Sequence, residues 1–288
     1  MNVQGSPASD ASSVPLSFIK EEAKTRSPAE LPILFIHGAE SSKETWTGPI
    51  NALKDRHTIY AIDLRGHGET PIGDAKEFSL QNLVNDVRNF VHQEHLNRFI
   101  LVAHSMGTRI ATAFAADYPE FVAGYVIEDM EMLPREKEIV SEEELHALSI
   151  FKQRHPTIKS AAEELERYGY SRAKIDSWIR QNRIVETPHG VHIGINPWVT
   201  LLAKNNISAS IEPMEKMKKL AESKIPVLLM KAEADSSVSP EGLQRMKNAY
   251  PEMEVCIIPN ATHSIHKADL DAFLYQLHGF IDTLERSQ

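Results

Sequence analysis

The stretch Phe99-Ile100-Leu101-Val102-Ala103-His104-Ser105-Met106-Gly107-Thr108-Arg109-Ile110-Ala111 decides how the rest of the chain is read. An apolar, β-branched run forms a strand and passes directly into Ala-His-Ser-Met-Gly, after which small and apolar residues continue as a helix. A serine at such a strand-to-helix joint sits on a sharp turn that lifts its hydroxyl clear of the strand end. Bulky neighbours would clash there, and the small Ala103 and Gly107 meet that demand. The amide of Met106, at the helix N-terminus, points toward any negative charge that develops beside the serine. Ser105 is therefore the candidate nucleophile and the Met106 amide a candidate oxyanion donor.

On the N-terminal side, Ile33-Leu34-Phe35-Ile36-His37-Gly38-Ala39 ends an earlier strand in His-Gly. Gly38 permits close backbone approach, which makes the Ala39 amide the second candidate oxyanion donor. His37 reads as a brace for this loop. Glu40 follows, and since a carboxylate pointing at an oxyanion site would oppose it, its side chain is expected to face away. The next strand ends in Asp63-Leu64-Arg65-Gly66-His67-Gly68, read as a turn held by an Asp–Arg network.

On the C-terminal side, Pro259-Asn260-Ala261-Thr262-His263-Ser264-Ile265-His266 follows the last strand. A histidine on that loop can reach across the end of a sheet to Ser105 and take its proton. His263 fits better than His266, which falls in the first turn of the next helix. Two carboxylates compete to orient it. Asp235, four residues past a strand and 28 before His263, is the expected acid; Asp129, 24 after Ser105, is the alternative. Glu128 and Glu233 are weaker candidates because neighbours along a strand point to opposite faces.

The 288 residues, 42% hydrophobic and 25% charged, suffice for one large core or a core carrying an insertion. A net charge of −9 argues against a general nucleic-acid binder. The single cysteine, Cys256, lies in an apolar run, so no intrachain disulfide forms and the thiol is expected to be buried and inert. The chain opens with no basic segment followed by an apolar stretch, and its first basic residue is Lys20. No apolar run approaches membrane-spanning length. A cytoplasmic location is the expectation.

Short runs at Pro32–Ile36, Thr58–Ile62, Arg98–Val102, Phe121–Ile127, Pro226–Met230 and Met253–Ile258 alternate with amphipathic segments, the pattern of a parallel sheet covered on both faces. The period of Leu80–His92 predicts a helix capped by Ser79. Residues 1–14 read as a loose tail, 15–130 and 223–288 as the core, and 131–222 as a helical cap lying over the sheet. In that cap Ser141–Glu144 forms a capping box and Ser171 caps a helix containing Ile175 and Trp178. His189-x-x-His192 and His263-x-x-His266 have ligand-like spacing, but no cysteine or acidic cluster completes either, so no metal is expected. No cofactor is implied, and nothing sets an oligomeric state.

The His-Gly, Arg-Gly-His-Gly, Ala-His-Ser-Met-Gly and Pro-Asn-Ala-Thr-His stretches, with a Pro-Leu-Ser-type first strand at Val14-Pro15-Leu16-Ser17-Phe18, resemble the α/β-hydrolase superfamily over about residues 14–284. The likeness is greatest to small, cap-bearing carboxylesterases. It implies an α/β-hydrolase fold, a mostly parallel sheet flanked by helices with a helical cap insertion. It also implies cleavage of small to medium carboxylic esters through an acyl-enzyme, by Ser105, His263 and Asp235. Similar esterases place the acid at either of the two positions occupied here by Asp235 and Asp129. Ala103, Thr108 and Thr262 stand where glycine is commoner and are expected to narrow the pocket. His104, Met130, Met132, Ile265, Trp178 and Trp198 are the candidate substrate contacts. Carbon–carbon bond hydrolases, thioesterases, lactonases and acyltransferases share these residues, and a ligand receptor with a silent site is the alternative of another class.

Overall fold

The computed structural model describes residues 13–24, 30–180, 183–188 and 190–286. Most of the expected tail, residues 1–12, and His189 of the first His-x-x-His pair lie outside the described residues. Val14, the last residue of that expected tail, is not loose: it is buried, and its amide donates to Asp86 Oδ1 at 3.0 Å.

The strands are β1 (Phe18–Glu21), β2 (Ile33–Ile36), β3 (Ile59–Ile62), β4 (Phe99–His104), β5 (Val122–Glu128), β6 (Arg154–His155), β7 (Ile184–Thr187), β8 (Gly190–Ile193), β9 (Val227–Ala232) and β10 (Glu254–Ile258). Seven form one sheet in the order β1-β3-β2-β4-β5-β9-β10. Only β1 runs antiparallel, against β3. β2, β4 and β5 are buried along their whole length, as continuous apolar runs in a doubly covered parallel sheet must be. One cluster, including Leu34, Leu101, Tyr125 and Ile127, packs on one face. Another, including Ile33, Phe35, Val102 and Val126, packs on the other. The alternation of neighbours along each strand divides them. Phe99 pairs with Val122 and Ile100 with Gly124, so Ala123 is an extra residue, a bulge, at the start of β5.

The expected helix is present as Leu80–Gln93, with Ser79 Oγ accepting from the Asn82 amide at 3.2 Å. Between β5 and β9 the chain forms the helices Glu142–Ser149, Ile158–Arg167, Arg172–Arg180, Pro197–Ala203 and Glu212–Ser223. The Ser141–Glu144 capping box is formed, and Ser171 Oγ accepts from the Lys174 amide at 3.4 Å. This insert is not helical alone: β6, β8 and β7 make a three-stranded antiparallel sheet within it. The period-2 patterning that would announce those strands is only two to four residues long. No helix among the described residues is long and apolar enough to cross a membrane.

Candidate functional site

Ser105 joins β4 to the helix Met106–Asp117 with φ 54° and ψ −128°. Such a backbone conformation costs a non-glycine residue about 1–3 kcal/mol and persists only where the surroundings enforce it. The enforcement is visible. The Ser105 amide donates to Glu128 O at 3.1 Å, and Thr108 Oγ1 donates to Ser105 O at 2.6 Å. A Cβ on Gly107 would meet His37 O at 2.3 Å, and one on Gly38 would meet Ser105 Cβ at 2.8 Å. Glycine at these two positions lets the His-Gly loop close on the turn that carries the serine.

The Ser105 hydroxyl lies 2.9 Å from His263 Nε2, and His263 Nδ1 lies 2.8 Å from Asp129 Oδ2. With Nδ1–H donating to the carboxylate, Nε2 is left to accept from the hydroxyl. Asp129 stands directly after β5 with φ 48° and is fully buried. Its carboxylate also accepts from Ser236 Oγ at 2.6 Å, from the Ala232 amide at 2.9 Å and from the Ser237 amide at 2.8 Å. Burial works to raise this carboxyl, but the hydrogen bonds from His263, Ser236 and the two amides hold it below the usual carboxylate range.

His263 thus meets Asp129, the alternative, and not Asp235, the expected partner. Asp235 is exposed and meets Thr262 through an isolated bridge, while the serines that follow it turn back to hold Asp129. The reason is geometric: Asp129 leaves the end of the strand next to the serine's own, whereas Asp235 lies farther out along a loop.

His37 braces its loop as expected, with Nδ1 on Gly38 O at 2.6 Å and Nε2 accepting from the Leu64 amide at 3.0 Å; burial pushes its imidazole well below the ordinary histidine value. Glu40 turns away as expected. Its carboxylate reaches Lys174 of the insert at 3.3 Å, and Arg183 Nη1 donates to its carbonyl. The turn after β3 departs from the expected Asp–Arg network. Asp63 pairs with Lys43 at 2.6 Å, and Arg65 pairs with Asp86 at 2.7 Å.

Of the expected substrate contacts, Met132 and Ile265 are fully buried in the two clusters flanking the sheet, and Trp178 is packed in the insert's own cluster. Met130 is buried with its sulfur near Arg135, and Trp198 is half-buried. His104 is nearly sealed, with Nε2 donating to His263 O at 3.0 Å, and burial pushes its imidazole down to about 3. A cavity of about 570 Å³ opens between the insert and the core, rimmed by Arg183 and His192 on one side and Ser41, Lys43 and Glu69 on the other.

Sequence reasoning missed a second pairing beside the first. His266 Nδ1 lies 2.8 Å from Glu128 Oε1, and its Nε2 lies 2.9 Å from Thr45 Oγ1. Adjacent carboxylates at a strand end and two histidines three apart on one loop were the signal for it.

Residues 32–269 match a family model described as the alpha/beta hydrolase fold. Over 108 residues, 37% of this chain and 31% of the relative, the chain is 34% identical to a probable alcohol acetyltransferase of Wickerhamomyces anomalus. It is 24% identical to a 2-(acetamidomethylene)succinate hydrolase of Mesorhizobium japonicum across 87% of each protein. Among solved structures, a marine microorganism esterase superposes with a TM-score of 0.70 at 21% identity, covering 93% of this chain and all of that one. With the seven-stranded sheet and the family match over most of its length, this chain belongs to the α/β-hydrolase family.

Proposed function

We propose that the protein is a serine hydrolase that cleaves small to medium carboxylic esters through an acyl-enzyme. The observation that carries this reading is the line from Ser105 Oγ through His263 to Asp129, with spacings of 2.9 and 2.8 Å and the serine held at positive φ. His263 Nε2 takes the hydroxyl proton as Ser105 Oγ bonds to the ester carbonyl carbon. The carbonyl oxygen becomes an oxyanion facing the amides of Ala39 and Met106. Collapse breaks the bond to the alkoxy oxygen, which leaves as an alcohol with the proton from His263. Water then gives its proton to His263 and attacks the acyl carbon; the carboxylic acid departs, and the proton returns to Ser105. Asp129 holds the imidazole tautomer and stabilises the cation formed in each half-reaction.

Acyl transfer to an alcohol in place of water is the second reading, favoured by the local likeness to a probable alcohol acetyltransferase. Both readings share the acyl-enzyme. The deciding experiment is fluorophosphonate labelling of wild type and Ser105→Ala, with p-nitrophenyl acetate and octanoate turnover in the presence and absence of ethanol. Labelling that needs Ser105, with turnover falling about a thousandfold or more in the variant, supports the mechanism. Near-wild-type turnover in Ser105→Ala sinks it. Ethyl ester as the main product with ethanol present selects the transferase reading.

A further inference from the structure

Glu128 and Asp129, consecutive at the end of β5, meet different histidines: Asp129 meets His263 on the loop after β10, and Glu128 meets His266 in the short helix Ile265–Ala268 that follows. Glu128 is fully buried and accepts three times from His266: its amide at 2.9 Å, and Nδ1 at 2.8 Å on one oxygen and 2.9 Å on the other. Beyond His266, Nε2 meets Thr45 Oγ1, and the ring lies on Trp46 with centroids 4.4 Å apart. The His104 ring sits between the two assemblies, 4.8 Å from His263 and 5.2 Å from His266.

A buried carboxylate is costly, and apolar packing would hold the loop at least as well. What this arrangement supplies is a fixed position and a fixed charge. Three bonds clamp the loop three residues past His263, while His104 clamps the carbonyl of His263 itself. The titratable groups that act on the pair are His104 from β4 and Lys267 from the short helix, with His263 reached through the His104 ring. Thr45 and Trp46, from the turn at residues 43–46, bring no charge. Bare of its partner, the Glu128 carboxylate would be an uncompensated buried charge beside His104, whose ring packs on His263.

Building on the serine-hydrolase reading, we propose that Thr45, His266 and Glu128 form a positioning relay parallel to Ser105–His263–Asp129. In it, His266 covers the Glu128 carboxylate with its hydrogen bonds and the clamped loop holds His263 over Ser105.

The test is the titration of His263, followed by NMR of histidine-labelled protein in wild type, His266→Gln and the double variant His266→Gln/Glu128→Gln, alongside kcat and KM for p-nitrophenyl acetate. In His266→Gln the His263 titration moves up by ~0.5–1 unit, and in the double variant it returns to the wild-type position. kcat falls about tenfold or more in His266→Gln with KM within about threefold, since the loss concerns the base rather than substrate binding. Thr45→Val, which leaves the buried pair intact, lowers kcat several-fold without moving KM. A His263 titration that stays in place in His266→Gln overturns the relay, as does wild-type kcat in both His266→Gln and Thr45→Val. The NMR arm needs no substrate. If wild type hydrolyses no ester, the hydrolase reading falls while the relay is still decided by the titration.

Discussion

At Asp129 a single residue gathers four hydrogen bonds from three segments: β9, the loop after it and the histidine loop. Replacing it with Asn keeps the shape but turns two acceptor positions into donors facing an amide or an N–H, and it favours the wrong imidazole tautomer. Asp129→Asn is therefore expected to lower kcat by about 10³–10⁴, with Asp235→Asn staying within about twofold of wild type. Steady-state turnover of the two variants side by side checks this; a larger loss in Asp235→Asn would reverse the assignment. The approach of His263 to Ser105 was legible in the sequence because strand, small residues and turn all act locally on them. The choice between the two aspartates was not, because both follow strands at suitable distances. Only the position of β5 beside β4, with Ser236 and Ser237 folding back, separates them.

Among the elements, the helix after Ser105 approaches β2 more closely than a side chain allows. Gly107 faces the backbone carbonyl of His37, which belongs to the loop bearing the proposed oxyanion donor Ala39. Gly107→Ala is expected to gain helix propensity but to lose more by forcing the two segments apart, a net destabilisation of about 1–3 kcal/mol. Urea unfolding gives the stability, and turnover is expected to fall by more than stability alone explains. Unchanged values for both would show that the loop gives way freely. The six parallel core strands were readable from their unbroken apolar runs, with observed bounds within two residues of those expected, whereas the first strand, read at Val14–Phe18, lies at Phe18–Glu21. The insert's sheet was not readable. Ile184–Thr187 and Gly190–Ile193 are too short for an alternating pattern to stand out, and the third strand of their sheet, Arg154–His155, comes from a separate, earlier segment of the insert.

Across the whole molecule, several neutral histidines are sealed in. Burial pushes the imidazole of His104 down to about 3 and that of His67 down to about 4, and that of His37 is likewise depressed. In the unfolded chain the same rings titrate near their ordinary value of about 6.5. Below that pH the unfolded state binds protons that the folded state refuses, so stability is complete above about pH 6.5 and drains away as pH falls. The depressed carboxyls of Glu128 and Asp129 act in the same direction at lower pH, where their protonation undoes the pairs they make. The melting temperature is expected to drop by about 5–10 °C between pH 7 and pH 5, as read by calorimetry. A flat profile over that interval would mean that these rings accept protons without unfolding.

Ser105 and Asp129 precede the insert and His263 follows it, 134 residues after Asp129. During synthesis at about 5–20 residues per second, the first two are made at least ~7 s before the third. In that interval the serine has been made and the histidine that faces it has not. On the serine-hydrolase reading, chemistry at this site waits until the last two strands of the sheet have been made, so a chain stopped before His263 is expected to turn over no ester.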